Sequence, residues 1–261
     1  MRNRGPFGLS IQTAAILLFT ALVPALIAAG PSTGGKAKKS SKVARLPAQV
    51  DLRPQFAEYE LGPRPQGDRG TCSVFTTAAA LEFALAKHTG RGVPLSVEYL
   101  NFASNQAIHD KGDGGFFHDL IKGFEKYGIC LESEMPYQQQ FDSNLVPSAQ
   151  AMATGKKMRG NPFNIHWINP WKPTIGLTDE QLTEIKTVLA AGWPVAAGSS
   201  HSRLLVGYVD DPDQPGGGSF TTKDSGSARF DSITYEFTKE NIGDVFWIES
   251  PLKRKAKKPK S

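Results

Sequence analysis

From Thr71 or Cys72 to near Gly90 the chain carries Phe75, Ala78, Ala79, Leu81, Ala84 and Leu85 in one unbroken run. Alanine is the best helix former, and a run of small residues lets neighbouring elements approach closely, so this segment predicts a central, tightly packed helix. Leu95-Ser96-Val97-Glu98-Tyr99-Leu100 reads as a second helix start with Ser96 as its N-cap. Phe116 to Tyr127 predicts a third helix, with Gly128 ending it in a left-handed conformation. Thr178-Asp179-Glu180-Gln181 is a capping-box pattern that opens a helix to Ala191, stopped by Gly192. The pattern then shortens to strands over Pro194–Gly198, Leu204–Val209, Ser219–Lys223 and Val245–Ile248, with a Pro/Gly-rich loop at 211–218. Residues 138–176, rich in Gln, Asn, Pro and Gly, give no clear period and are expected to form an ordered excursion that includes Trp167 and Trp171.

With 261 residues, 39% of them hydrophobic, the chain can bury a large core despite its polar ends. Its net charge of +5 conceals two regimes. Residues 1–50 hold seven Lys/Arg and no acid, and residues 251–261 hold six Lys/Arg and no acid. The 200 residues between them hold 17 basic and 25 acidic side chains, a net of −8. The basic ends have the Lys/Gly/Ser/Pro composition of solvated, disordered segments, and no specific nucleic-acid partner is expected. Arg2 and Arg4, the apolar run from Ala14 to Ala29 and the small residues Ala28-Ala29-Gly30 together read as an export signal over residues 1–30, which places the protein outside the cytoplasm, secreted or periplasmic. Left uncleaved, the same segment would anchor the chain in a membrane. Residues 31–46 read as a basic flexible linker, 47–250 as the globular domain and 251–261 as a basic tail. A monomer is expected.

Candidate chemistry starts at Gln66-Gly67-Asp68-Arg69-Gly70-Thr71-Cys72. A thiol at a helix N-terminus lies in the positive end of the helix dipole, which favours thiolate. A glutamine amide six residues earlier could donate to an oxyanion forming beside that sulfur. The other cysteine, Cys130, sits between Ile129 and Leu131 and reads as a small buried hydrophobe. His88 and His166 read as structural; His109 and His118, with Asp110 and Asp113, lack the tight spacing of a metal site, and neither metal nor cofactor is expected. His201, just before the apolar strand Leu204–Tyr208, and Asp224, at the end of Ser219–Asp224, complete a thiol, imidazole and carboxylate in the order that nucleophilic acyl transfer uses.

At this point the chain resembles the papain-like cysteine peptidases over most of residues 47–250. Pro47 to Arg53 is similar to that family's mature start, and Gln66 to Cys72 keeps its spacing from oxyanion-hole glutamine to nucleophile. Leu95-Ser96-Val97-Glu98 resembles its Leu-Ser-x-Gln segment, Gly114-Gly115 its paired substrate-binding glycines, and Tyr127 to Tyr137 its Gly-Ile…Tyr-Pro-Tyr stretch. His201 with Gly207-Tyr208, and Lys223-Asp224-Ser225, resemble the strand of the catalytic histidine and the Lys-Asn-Ser segment. The resemblance implies an α+β, two-lobe fold: a helical lobe of about 51–137 bearing Cys72 on its central helix, and an antiparallel β-barrel-like lobe of about 138–250 bearing His201 and Asp224. It implies a cysteine-type peptidase acting on peptide or protein substrates, which lie extended in the cleft against Gly114 and Gly115.

The chain also departs from the family pattern. Arg69 and Ser73 stand where a disulfide cysteine and a tryptophan are usual, the third polar residue is Asp224 instead of asparagine, and Gly226 replaces a tryptophan that shields the histidine's hydrogen bond. The short stretch between the presumed cleavage point and Pro47 leaves no room for the family's helical propeptide. The lost tryptophans and the altered third residue keep open a catalytically silent peptide-binding module, and the Cys, His, Asp order keeps open a transglutaminase-like acyl transferase.

Overall fold

The computed structural model describes residues 45–159 and 163–250. The expected signal, nearly all of the expected linker and the expected basic tail lie outside the described residues.

The alanine-rich run forms α2 (Cys72–Thr89), and Ser73 through Ala86 are all buried. Burial on every side explains why its sequence shows no polar stripe. Gly90 ends the helix at φ +76 and returns its N–H to the Ala86 carbonyl. Around α2 lie α1 (Arg53–Glu58), α3 (Val97–Ile108) and α4 (Phe117–Tyr127). Ser96 caps α3 as its sequence predicts, its Oγ accepting from the Tyr99 N–H at 2.9 Å. Gly128 has positive φ (+77), but its ψ of −153 lies outside the left-handed helical region that the sequence predicts for it.

Helix α5 (Ala149–Arg159) belongs with these helices: Tyr99, Ala103, Cys130, Met135 and Ala151 form one buried cluster. Residues 149–159 therefore pack with the helical lobe and not with the β lobe, to which the boundary at about 137 assigns them. An internal close contact made through Gly155, against the Tyr99 ring, carries this packing.

The second lobe is a seven-stranded antiparallel sheet. Its strands are β2 (Asn164–Asn169), β3 (Val195–Gly198), β4 (Arg203–Asp210), β5 (Gly218–Asp224), β6 (Arg229–Thr234) and β7 (Asp244–Glu249), with β1 (Gln49–Asp51) added on β4. The spatial order is β2-β7-β3-β4-β5-β6. Central strands β3 and β4 are apolar and buried, and α6 (Asp179–Ala190) covers the sheet through Ile185, Val188 and Leu189. Its capping box forms, Thr178 and Gln181 satisfying each other's backbone N–H. The mature-start segment thus belongs to the β lobe, since β1 pairs with Gly207–Val209.

Both lobes share one hydrophobic core, with Phe117 of α4 meeting Phe246 of β7 edge to face at 5.0 Å. That continuity fixes the angle between the face bearing Cys72 and the face bearing His201.

Helices α3 and α4 cross where α4 has glycine. A methyl group on Gly123 would lie 2.5 Å from the Ser104 nitrogen. Alanine is the better helix former by about 1 kcal/mol, yet overpacking a tight contact costs about 1–3 kcal/mol. Gly123→Ala is therefore expected to lower the midpoint of urea unfolding, against the trend of helix propensity.

Candidate active site

Cys72 is the first residue of α2, so its sulfur lies beside the unsatisfied N–H groups of the first turn. The Ser202 N–H donates to Cys72 Sγ at 3.4 Å. Burial pushes the thiol pKa up, but hydrogen bonds from His201 and Ser202 and the nearby imidazolium outweigh it, and the net shift is downward. Cys130 shows the opposite balance: burial dominates and its thiol is pushed up to about 12. Both cysteines are free.

His201 precedes β4, and its Nε2 lies 2.9 Å from Asp224 Oδ1 at the end of β5. The hydrogen bond to Cys72, and then the bond and charge of Asp224, raise the imidazole pKa against the opposing effect of burial. The thiol and ring thus favour the thiolate–imidazolium pair together. Asp224 is 5% exposed and amply satisfied. Its Oδ1 also accepts from the backbone N–H groups of Gly226 (2.7 Å) and Ser227 (3.2 Å), and its Oδ2 accepts from Arg203 Nε at 2.9 Å. Although burial opposes it, the bond and charge of His201 and the Ser227 and Gly226 N–H groups hold the Asp224 pKa below the usual carboxylate range.

The doubt raised by the missing tryptophan resolves in the backbone. Gly226 lies directly on the His201–Asp224 contact, and a methyl group placed on it would stand 3.0 Å from His201 Cε1. The turn after Asp224 covers the hydrogen bond that an indole would otherwise shield.

Gln66 is held in one orientation. Its Nε2 donates to the Arg69 carbonyl at 2.7 Å, and Ser225 Oγ donates to its Oε1 at 2.8 Å. Those two bonds determine which side-chain atom is nitrogen, and one amide N–H is left for an oxyanion. The glycine pair divides. Gly114 (φ +90) packs so closely that a methyl group would lie 2.2 Å from the Gly70 carbonyl oxygen, and its N–H goes to Asn101 Oδ1 at 3.0 Å. Gly115 lines the cleft, with its carbonyl accepting from Ser73 Oγ at 2.6 Å. Ser73 thus steadies the glycine segment from the position where the family has tryptophan.

Arg69 replaces the expected disulfide anchor with charge. Its guanidinium, buried, pairs with Glu98 (2.6 Å) and Asp113 (2.8 Å) and donates to the Gln138 carbonyl at 2.7 Å. It also lies 4.5 Å from the centre of the Tyr137 ring. Asp113, weighed from sequence as a metal ligand, is taken up by this cation. Among the described residues no group of three or more metal-ligating side chains gathers.

A cavity of about 440 Å³ opens beside Cys72, lined by Gly115, Phe116, Trp171, Gly198 and Asp244 among others, with the Phe116 and Trp171 rings 5.6 Å apart. The excursion whose structure the sequence leaves open therefore contributes a wall of the cleft through Trp171. Arg203, which bonds Asp224, and Asp244, which lines the cavity, escaped the sequence reading. Asp244 has one buried carboxylate oxygen with no hydrogen-bond partner, and burial pushes its pKa up to about 6. The only signal for either was an acid or base placed within an otherwise apolar strand pattern.

A thiol on a helix N-terminus facing an imidazole–carboxylate pair across two lobes of an α+β fold is an arrangement suited to a cysteine nucleophile. The profile of the papain family cysteine proteases matches residues 46–211, and the chain belongs to that family. Cathepsin S of Rattus norvegicus is 28% identical over 182 residues, covering 67% of this chain and 50% of the relative. Cathepsin S of Mus musculus is 27% identical over 217 residues, covering 78% and 58%. The chain thus spans about half the length of these curated relatives. Among solved structures, xylellain, a cysteine protease from Xylella fastidiosa, superposes with a TM-score of 0.62 at 20% identity, covering 82% of this chain and 90% of the other. Digestive procathepsin L 3 of Tenebrio molitor gives a TM-score of 0.59 at 20% identity, over 80% and 72%. These similarities establish the papain-like fold.

Removing one partner from a buried ion pair costs about 3–5 kcal/mol, because the remaining charge stays buried alone. Arg69→Met leaves Glu98 in that position. It is expected to lower unfolding stability by that order in urea titrations, whereas a thiol reductant leaves the wild-type transition unchanged.

Proposed function

We propose that residues 47–250 form a cysteine peptidase domain that hydrolyses peptide bonds in peptide or protein substrates. The observation that carries this reading is the Cys72 thiol at the start of α2, its pKa lowered by the neighbouring His201, whose Nε2 is held by Asp224 at 2.9 Å. Cys72 thiolate attacks the scissile carbonyl carbon, and the carbonyl electrons move to oxygen. Gln66 Nε2–H and the Cys72 N–H donate to that oxyanion. His201 imidazolium gives its proton to the leaving amine, and an acyl-enzyme remains. The neutral imidazole then takes a proton from water, whose oxygen attacks the acyl carbon; the C–S bond breaks, releasing the acid and restoring the thiolate–imidazolium pair. Asp224 fixes the ring throughout. Gly115 offers its backbone to extended substrate.

The arginines and apolar run of the first 30 residues support export of the domain, and among the described residues no helix is long and apolar enough to cross a membrane. The domain acts as a monomer in this reading.

Cys72→Ala is expected to abolish cleavage of a casein substrate, and Gln66→Ala to reduce kcat by about 10²–10³-fold. Activity should rise as pH passes the lowered thiol pKa, because the ion pair then forms. It should fall as pH passes the raised imidazole pKa, because the leaving amine then loses its acid. Full activity in Cys72→Ala would sink the assignment.

With its pKa pushed up to about 6 by burial, Asp244 makes the pocket lining more anionic as pH rises through that region. Peptides varied on the acyl side of the scissile bond should show the ratio of arginine to leucine cleavage increasing as pH rises through about 6. Asp244→Asn should flatten that dependence.

A further inference from the structure

We infer that Arg203 is a positioning residue that allows a carboxylate to serve where the family has an amide. The inference rests on the proposed roles of Cys72, His201 and Asp224. Its basis is geometric. Arg203 Nε donates to Asp224 Oδ2 at 2.9 Å, and Arg203 Nη1 donates to the His201 carbonyl at 2.8 Å. One guanidinium therefore grips both the carboxylate and the backbone of the histidine it orients. The Arg203 guanidinium also lies 6.0 Å from the Phe237 ring centre, which limits its travel.

Two consequences follow from the donor and acceptor pattern. First, Asp224 must accept hydrogen bonds on both sides. Oδ1 meets His201 and the backbone N–H groups, while Oδ2 meets Arg203. An asparagine would keep its carbonyl toward His201 and turn its NH2 toward the Arg203 N–H, donor against donor. In this chain, aspartate at 224 and arginine at 203 require each other. Second, the cation offsets the carboxylate. The pair presents to His201 an oriented acceptor with little net charge, which is what a neutral amide presents. The Arg203 charge opposes the upward shift that Asp224 gives the imidazole.

The charged and titratable groups around the ring come from three elements. Cys72 faces it from α2, Arg203 from β4 and Asp224 from β5. Across from Asp224, β6 brings Arg229 and Asp231, which pair with each other at 3.1 Å. Only Arg203 touches the free oxygen of Asp224 among these.

The test compares wild type, Arg203→Met, Arg203→Lys, Asp224→Asn and the double variant Arg203→Met/Asp224→Asn. Two readouts are followed against pH: peptide cleavage, and alkylation of Cys72 by iodoacetamide. Arg203→Met should move the alkaline limb of cleavage to higher pH, since Asp224 loses its counter-charge, and lower kcat roughly 10- to 100-fold, the scale of one charge-assisted hydrogen bond. Arg203→Lys keeps the charge and should leave the alkaline limb near wild type, even with a reduced kcat. Asp224→Asn alone should be poor, and the double variant should recover activity above that single variant, with its alkaline limb back near wild type. A merely structural arginine would give no such recovery. An alkaline limb unmoved in Arg203→Met, or a double variant no better than Asp224→Asn, would overturn the role of Arg203 alone. A wild-type alkylation profile with only an ordinary thiol step would overturn the catalytic reading and the inference with it.

Discussion

The buried guanidinium of Arg69 ties together four stretches of chain that come from distant parts of the sequence. It belongs to the loop that carries Gln66 and Cys72, pairs with Glu98 on α3 and Asp113 before the glycine pair, and bonds the carbonyl of Gln138. Desolvating three charges is expensive, and only near-complete pairing makes it tolerable. Here the pairing is near-complete, so the cost becomes a constraint: any displacement of the loop that carries Cys72 would leave Glu98 buried without a counter-charge. The loop gains further support when Tyr137 donates to the Gln66 carbonyl at 2.9 Å and exchanges a bond with Thr71. The glycine segment and the Cys72 loop are held together by the same cation, with no disulfide between them.

Electrostatics separates the two cysteines more sharply than burial does. Cys130 is fully buried among apolar neighbours and its thiolate is disfavoured. Cys72 is partly buried too, but it faces an imidazole, a backbone N–H and a helix N-terminus. Low dielectric strengthens whichever partners are present, so the same desolvation that silences one thiol intensifies the interactions that ionise the other.

The departures from the family pattern fall into compensated sets. Ser73, too small to fill the place of an indole, bonds the Gly115 carbonyl. Gly226 lets the backbone close over the His201–Asp224 bond, and the N–H groups of Gly226 and Ser227 join the carboxylate. Asp224 in turn finds Arg203 two residues beyond His201, on the adjacent strand. Each substitution looks like a loss when taken singly. Together they exchange covalent and aromatic support for hydrogen bonds and ion pairs of comparable reach.

Local patterns were enough for the elements with strong signals. The alanine-rich helix, the Ser96 cap, the Thr178 capping box and the apolar strands β3 and β4 follow from side-chain period and capping chemistry, which act over a few residues. The order Gln66, Cys72, His201, Asp224 was likewise legible, since chain order and spacing are sequence properties. Short elements such as β1, β2 and β6 were not: each is held by its pairing partner, and β2 meets β7 about 80 residues away in sequence. Helix α5 was hidden because its fit against Tyr99 depends on a small residue at one distant contact. The partners of buried charges were the least legible. Nothing in the spacing of Arg69, Glu98 and Asp113, or of Arg203 and Asp224, marks them as pairs, because a salt bridge is chosen by which side chains desolvation traps together. The residue types and their order belong to the sequence alone; which charge answers which, and hence the electrostatics of the cleft, was decided only by tertiary packing within each lobe, which sets Arg69 against Glu98 and Asp113 and Arg203 against Asp224.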